Sequence, residues 1–256
     1  MKNPLNHVAV RGRFRLLTAT VAALTLTMAG AQSTYASSGE RNTHASSGER
    51  NTHASSGGQT TYASSGGQGC PTAEIFATDN TSIITDPDDP RLDTRLKRFG
   101  REVREIIRAN GARPGASQLL DGVFWSADLG QATYERSREF DVERVGRDGL
   151  HHIAGLIAKR YDQESVLAFR CVPRTSPETD AVEIEVPGVS ASGLREALLA
   201  DAEAREKLGG GSVTLDGRLV LIAPVADLPL ARSFTAELGA DWSEAQVRYG
   251  DREFVS

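Results

Sequence analysis

The sequence predicts an α+β protein whose folded part is built from two lobes in tandem. Three observations point there. Apolar periodicity from Cys70 onward switches between strand and helix in the order β-α-β-β-α-β. The same order then returns in smaller form from Ala181 to the end. Between the two lies Pro173 to Asp180, a stretch with two prolines and three Ser/Thr that reads as a joint.

In the first half, Glu74 to Ile84 is a broken apolar run able to hold a strand. Asp89 followed by Pro90 has the form of an N-cap with proline at the first helical position. Leu92, Leu96, Phe99, Val103, Ile106 and Ile107 then fall on one helical stripe that stops at Gly111. Gln118 to Ser126 and Thr133 to Val145 read as strands around a turn at Asp128 to Gly130. Asp148 to Tyr161 is a helix burying Leu150, Ile153, Ala154 and Ile157, and Glu164 to Val172 returns as a strand. In the second half Ala181 to Val186 alternates as a strand, and a helix runs from near Ser190 to Leu208. Val213 to Leu215 and Arg218 to Ala223 flank Asp216-Gly217, a strong hairpin signal. Asp227 caps a helix burying Leu230, Phe234 and Leu238. Ala245 to Tyr249 follows as a strand, expected to pair with Glu253 to Val255 across Gly250-Asp251. Two such units in tandem most often build ferredoxin-like plaits.

Ahead of these lobes the chain reads as export machinery and spacer. Met1 to Arg15 carries Lys2, Arg11, Arg13 and Arg15 without an acid, Leu16 to Met28 has no charge, and Ala29-Gly30-Ala31 closes the run. A basic region, a short apolar core and an A-x-A exit describe a cleaved signal peptide over 1–31, too short to span a bilayer. The membrane is thus expected to be met only during export, and the protein to be secreted. Residues 32–68 repeat with a period of nine: Ala36 to His44 and Ala45 to His53 are identical, and Ala54 to Tyr62 is a variant. Calcium-binding nonapeptide repeats need an Asp in each unit, and these have none. With almost no aliphatic side chains to offset the entropy of ordering, the segment is expected to be a flexible linker. The expected organisation is therefore 1–31 signal peptide, 32–68 linker, 69–172 first lobe, 173–180 joint and 181–256 second lobe.

Charge narrows the partners. Removing 1–31 takes four of the 29 basic residues and leaves 25 against 34 acids, a formal charge of −9. No basic stripe interleaves with aromatics, so no nucleic-acid partner is expected. Cys70 and Cys171 are the only cysteines. In an exported chain they read as one disulfide, since neither has the neighbours of a metal site or an activated thiol.

Ile157 to Phe169, IAKRYDQESVLAF, resembles a motif in an uncharacterised family of small exported bacterial domains thought to be ferredoxin-like. The resemblance implies that fold and an exported location. It transfers no catalytic residue.

Residues that could carry chemistry are few. His151 and His152 are adjacent on a helix and cannot meet one metal from its face. Asp86, Asp88 and Asp89, with Asp79 and Asp93 near, crowd one loop but lack the glycine and terminal Glu of a calcium loop, and turns and helix starts ask for the same residues. Ser190 and Ser192 precede a helix without a complete G-x-S-x-G frame or any later His, so an N-cap accounts for them. Gly209-Gly210-Gly211 lacks the Lys-Ser/Thr of a phosphate loop and reads as a helix stop. The strand Thr133 to Val145 is the least ordinary, because Glu135, Arg136, Arg138 and Glu139 decorate it with both signs and would line an open sheet face or edge. These four are the candidate ligand-binding residues. No catalytic residue, metal site or cofactor is expected. The function expected is binding of an extracellular protein, a wall polymer or a small molecule by a non-enzymatic domain on a tether. The alternatives are a secreted hydrolase using Glu135 and Glu139 as a carboxylate pair, and a structural surface protein.

Overall fold

Alternation of apolar and polar residues, the signal that marks strands in this chain, also decides how they close. A computed structural model describes residues 72–256; the expected signal peptide, the repeats and Cys70 lie outside the described residues. In order along the chain come β1 (Thr72–Ala77), α1 (Lys97–Ala109), β2 (Arg113–Ser126), β3 (Gln131–Glu143), α2 (Arg147–Arg160) and β4 (Val166–Cys171). They are followed by β5 (Ala181–Pro187), α3 (Ala191–Ala200), α4 (Ala202–Lys207), β6 (Gly210–Thr214), β7 (Arg218–Pro224), α5 (Leu228–Glu237) and β8 (Gln246–Val255).

The eight strands form one closed antiparallel barrel in the order β1-β3-β2-β6-β7-β5-β8-β4. This overturns the expectation of tandem ferredoxin-like α+β lobes, because the two halves do not keep separate sheets. Two seams join them. Leu120 to Phe124 of β2 pair with Thr214 to Gly210 of β6, and Val166 to Cys171 of β4 pair with Val255 to Gly250 of β8. Four strands in an open sheet would leave two edges of unpaired N–H and C=O groups, and closing both halves on each other removes all four edges.

The second seam depends on β8 being continuous. Its first half, Gln246 to Gly250, pairs with β5, and its second half, from Gly250 to Val255, pairs with β4. The expected hairpin across Gly250-Asp251 therefore does not exist. Gly250 is needed for another reason: a Cβ there would lie 2.3 Å from the Phe169 ring. The strand Thr133 to Val145, expected at an open face or edge, is also corrected, because β3 is bonded to β1 on one side and β2 on the other. Two helix boundaries move as well. Asp89 and Pro90 begin only a single 3-10 turn over Pro90–Asp93, with the Asp89 carboxylate accepting from Arg91 N, and α1 starts at Lys97 after Leu96 turns through φ 47°. The expected helix from Ser190 to Leu208 breaks at Asp201, whose side chain accepts from the N–H groups of Glu203 and Ala204 and so starts α4.

One face of each strand packs outward under helices. Ala73, Ile75 and Ala77 of β1 meet Phe99, Val103 and Ile107 of α1 and Ile153 and Ile157 of α2 in one apolar cluster. Val182, Ile184 and Val186 of β5 join Leu194 and Leu198 of α3 and Phe234 of α5 in a second. Full burial of each such side chain is worth about 1.5–3 kcal/mol, so both hydrophobic cores lie between barrel wall and helices. The residues in between, by the period of two, point inward. Among the described residues no helix is long and apolar enough to cross a membrane.

Candidate functional site

The inward-facing positions are unusually polar for so narrow a barrel. In β3, Phe140 and Val142 belong to the outer apolar cluster, which sends Glu135, Ser137, Glu139 and Asp141 to the interior. The same alternation turns Glu74 of β1, Glu183 and Glu185 of β5, and Arg248 of β8 inward. Register brings them together: Glu74 stands opposite Asp141, and Glu183 opposite Arg248.

Arg248 is the hub of this group. Its Nη2 lies 2.6 Å from Glu74 Oε1, 3.4 Å from Glu185 Oε1, and closer still to Glu183 Oε2. Glu74 and Glu183 are each 1% exposed. Glu183 Oε2 meets Arg248 as an ion pair without hydrogen-bond alignment, and Glu183 Oε1 and Glu74 Oε2 have no hydrogen-bond partner either. Glu139 accepts a 2.7 Å bond from Gln118 Nε2, and Asp141 Oδ2 accepts from Ala116 N at 3.1 Å. The Ala116 bond exists because β2 is irregular between Pro114 and Ser117, where a Cβ on Gly115 would press to 2.7 Å from Asp141 Cβ.

Electrostatics follow from burial. Desolvation pushes the Glu139 carboxyl up to about 8, and the charge of Glu74 adds to it. Glu183 is raised well above the ordinary range by burial and then by Glu74. Glu74 and Asp141 are raised by burial too, with Arg248 pulling both back in part. For Arg248 burial works against the charge, but Glu183 and Glu74 outweigh it and raise its pKa. One oxygen from each of Glu74, Glu139 and Asp141 lies within 4.8 Å of the others, so these three are the described residues best placed to share a cation.

The opposite end of the barrel is hollow. A cavity of about 430 Å³ is walled by Phe76, Phe124, Leu167 and Ile222, with Glu135, Ser137, Ser212 and Arg252 supplying polar groups. It adjoins a mouth of about 390 Å³ formed by Asn80 to Ile83 and Asp162 to Ser165, and Phe124, Glu135, Gln163 and Ser165 line both. Burial raises the Glu135 carboxyl, against a hydrogen bond with Ser137 that lowers it. The glycine run serves this space: at Gly210, φ 149°, a Cβ would sit 2.3 Å from Val123 O. Only glycine lets β6 approach β2 there. The Phe124 ring lies over Gly122, where a Cβ would meet it at 2.5 Å. Phe169, opposite Glu74 on one side and Arg252 on the other, and Leu120, opposite Ser137, are both fully buried and outside the two outer clusters.

Of the four candidate residues, the structure brings Glu135 and Glu139 inside and keeps Arg136 and Arg138 out. Arg136 Nη1 pairs with Asp121 Oδ1 at 2.9 Å, and Arg138 Nη1 donates to Ser117 Oγ at 3.0 Å. A strand sends odd and even positions to opposite sides, so these four cannot share one face. His151 Nδ1 meets Glu253 Oε1 at 3.0 Å on the surface. Asp86 and Asp89 accept from the N–H groups of Asp88 and Arg91, and Ser190 Oγ accepts from Gly193 N. The expected Cys70–Cys171 pairing involves a residue outside the described ones; Cys171 itself ends β4 opposite Gly250. Sequence reasoning missed Glu74, Asp141, Glu183 and Arg248 as a group. The signal available was AVEIEVP, in which the acids occupy alternate positions of an otherwise apolar strand.

Compared with family models, curated proteins and solved structures, the chain matches none.

Proposed function

We propose that this is an exported, non-enzymatic binding protein that takes a small organic molecule into the hollow end of its barrel, apolar body against Phe76 and Phe124 and polar head toward Glu135. The observation that carries the reading is the cavity of about 430 Å³ with apolar walls and a few convergent polar groups, a size within the roughly 300–1,000 Å³ of small-molecule sites. A concave, partly open space of that volume suits a small molecule better than a wall polymer or a folded partner. Export and tethering rest on the signal-like Met1 to Ala31 and the repeats of 32–68.

The hydrolase alternative fares worse. Glu135 and Glu139 share the inner face of β3, but four residues at about 3.3 Å each set them ~13 Å apart, whereas inverting glycosidases hold their carboxyls about 6.5–9.5 Å apart. Glu139 is moreover held by Gln118, away from the cavity lining.

The test is titration with the neutral fluorescent probe N-phenyl-1-naphthylamine. We expect saturable binding at one site per chain. Gly122→Ala, which drives the Phe124 ring off its seat, should weaken it by about tenfold or more, equivalent to ~1.4 kcal/mol. Unsaturable binding, or binding indifferent to Gly122→Ala, would end the proposal.

A further inference from the structure

Inside the barrel, at the end away from the cavity, the surplus of negative charge lacks a matching cation. Glu74, Glu183 and Glu185 pair with Arg248, Glu139 and Asp141 lie beside Glu74, and Arg218 reaches only Glu185, at 3.3 Å. Burying carboxylates without compensation is costly, so such a group must take up protons or a cation.

Two independent features favour the cation. The first is geometric. One oxygen each from Glu74, Glu139 and Asp141 falls within 4.8 Å of the other two, close enough for all three to reach a single ion whose oxygen ligands lie at about 2.0–2.6 Å. A set of protein carboxylates held by strands suits Ca²⁺, which accepts irregular coordination by several protein oxygens, better than Mg²⁺, which demands near-octahedral geometry and keeps its waters. The second is the state of Glu183. This side chain is 1% exposed, its Oε2 is ion-paired with Arg248, its Oε1 has no hydrogen-bond partner, and it is close enough to Glu74 and Glu139 for their charges to act on it. Glu74 Oε2 likewise has no donor while both carboxyls are ionised, and only a proton on Glu183 could serve it. Native interiors rarely leave buried carboxylate oxygens without a partner, and each one calls for an ion, a proton or a water. Hard oxygen donors from β1 and β3, with Glu183 of β5 beside them, are the donor set that oxygen-seeking divalent ions take. Asp141, only partly buried, lies on the side from which an ion would enter.

We propose that Glu74, Glu139 and Asp141, with Glu183 beside them, form a binding site for one hard divalent cation, Ca²⁺ in preference to Mg²⁺. The site is separate from the organic cavity and does not depend on its occupancy. Ion binding displaces protons that the buried carboxyls otherwise hold, so uptake releases protons.

The full chain, stripped with EDTA and exchanged into metal-free buffer at pH 7.5, is titrated calorimetrically with Ca²⁺ and separately with Mg²⁺. Repeating the titration in buffers of different ionisation heat counts the protons released. The expected result is one Ca²⁺ per chain with a Kd on the order of 10⁻⁴ to 10⁻³ M, proton release, and weaker binding of Mg²⁺ by about tenfold or more. Glu139→Gln and Asp141→Asn should each weaken Ca²⁺ by at least about tenfold. Circular dichroism confirms folding, and Asp141→Asn, at the less buried position, serves if Glu139→Gln does not fold. Absence of heat and of any thermal shift up to about 10 mM Ca²⁺, well above the weakest protein sites, overturns the proposal and leaves protons shared between Glu74 and Glu183 as the means of neutralising the group. Equal binding of Mg²⁺, or wild-type affinity in both variants, overturns it as well.

Discussion

Replacing Glu139 by glutamine in metal-free protein should change how stability depends on pH more than stability itself. Glu139 is 6% exposed, and burial with the charge of Glu74 raises its carboxyl from 4.5 to about 8. Between those two values the folded chain holds a proton that the unfolded chain has released. The contribution of Glu139 to the slope of unfolding free energy with pH is therefore negative: its contribution is greatest below 4.5, falls through the window, and levels off above about 8. A displacement of about 3.5 units at ~1.36 kcal/mol each sets an upper limit of about 5 kcal/mol for forcing the charge on the folded protein. Glu74 and Glu183 are raised by the same surroundings and adjust as Glu139 ionises, so a loss of ~2–4 kcal/mol between pH 5 and 9 is the working figure. The amide of the Glu139→Gln variant is close in shape to the protonated acid, and its carbonyl oxygen can still accept from Gln118. The variant should match wild type within about 1 kcal/mol at pH 5 and exceed it by ~2–4 kcal/mol at pH 9. Urea unfolding in EDTA, followed by Trp125 and Trp242 fluorescence at both pH values, measures this. If wild-type stability is flat or rises from pH 5 to 9, or if the variant loses as much as wild type, the inward placement and charge of Glu139 are wrong.

Three further outcomes are expected. Gly250→Ala puts a methyl 2.3 Å from the Phe169 ring and 2.8 Å from Arg170 O, and should cost about 1–3 kcal/mol or more in urea unfolding; an unchanged midpoint would show that the seam between β4 and β8 is loose. Protein recovered from the medium should show no titratable thiol when denatured, and Cys171→Ala should lower Tm, since a bridge from Cys70 closing a loop of about 100 residues is worth up to ~4–5 kcal/mol; two thiols would refute the bridge. Residues 69–172 expressed alone would expose the edges of β2 and β4 that otherwise pair with β6 and β8, and should associate or aggregate on size-exclusion chromatography; a monomer with cooperative unfolding would show that the first half closes without the second.

Much of the local structure is legible in the sequence because its causes are local. The pattern predicts a helix over Asp148 to Tyr161, and α2 spans Arg147–Arg160; the apolar spacing of Leu150, Ile153, Ala154 and Ile157 suffices. The Asp216-Gly217 turn joins β6 to β7 with Gly217 at φ 81°, a backbone state that glycine adopts without cost. Where a residue has two physical explanations, sequence reasoning favours the local one and errs. Gly250 reads as a turn, but it is small because Phe169 lies over it. Asp89 reads as the start of a long helix, but it caps a single 3-10 turn.

The site divides the same way. Period-two alternation along β3 places Glu135 and Glu139 on one side and Arg136 and Arg138 on the other, and that much the residue pattern by itself determines. It could not say which side was the inside, nor that Glu74, Glu183 and Arg248, far apart in sequence, would meet there. Only the pairing of β2 with β6 and of β4 with β8 decides this, because closure turns what would be a solvated sheet face into an interior. Water then no longer screens the carboxylates, and a row of ordinary surface acids becomes a buried group of like charges whose protonation, and whose need for a cation, depend on one another.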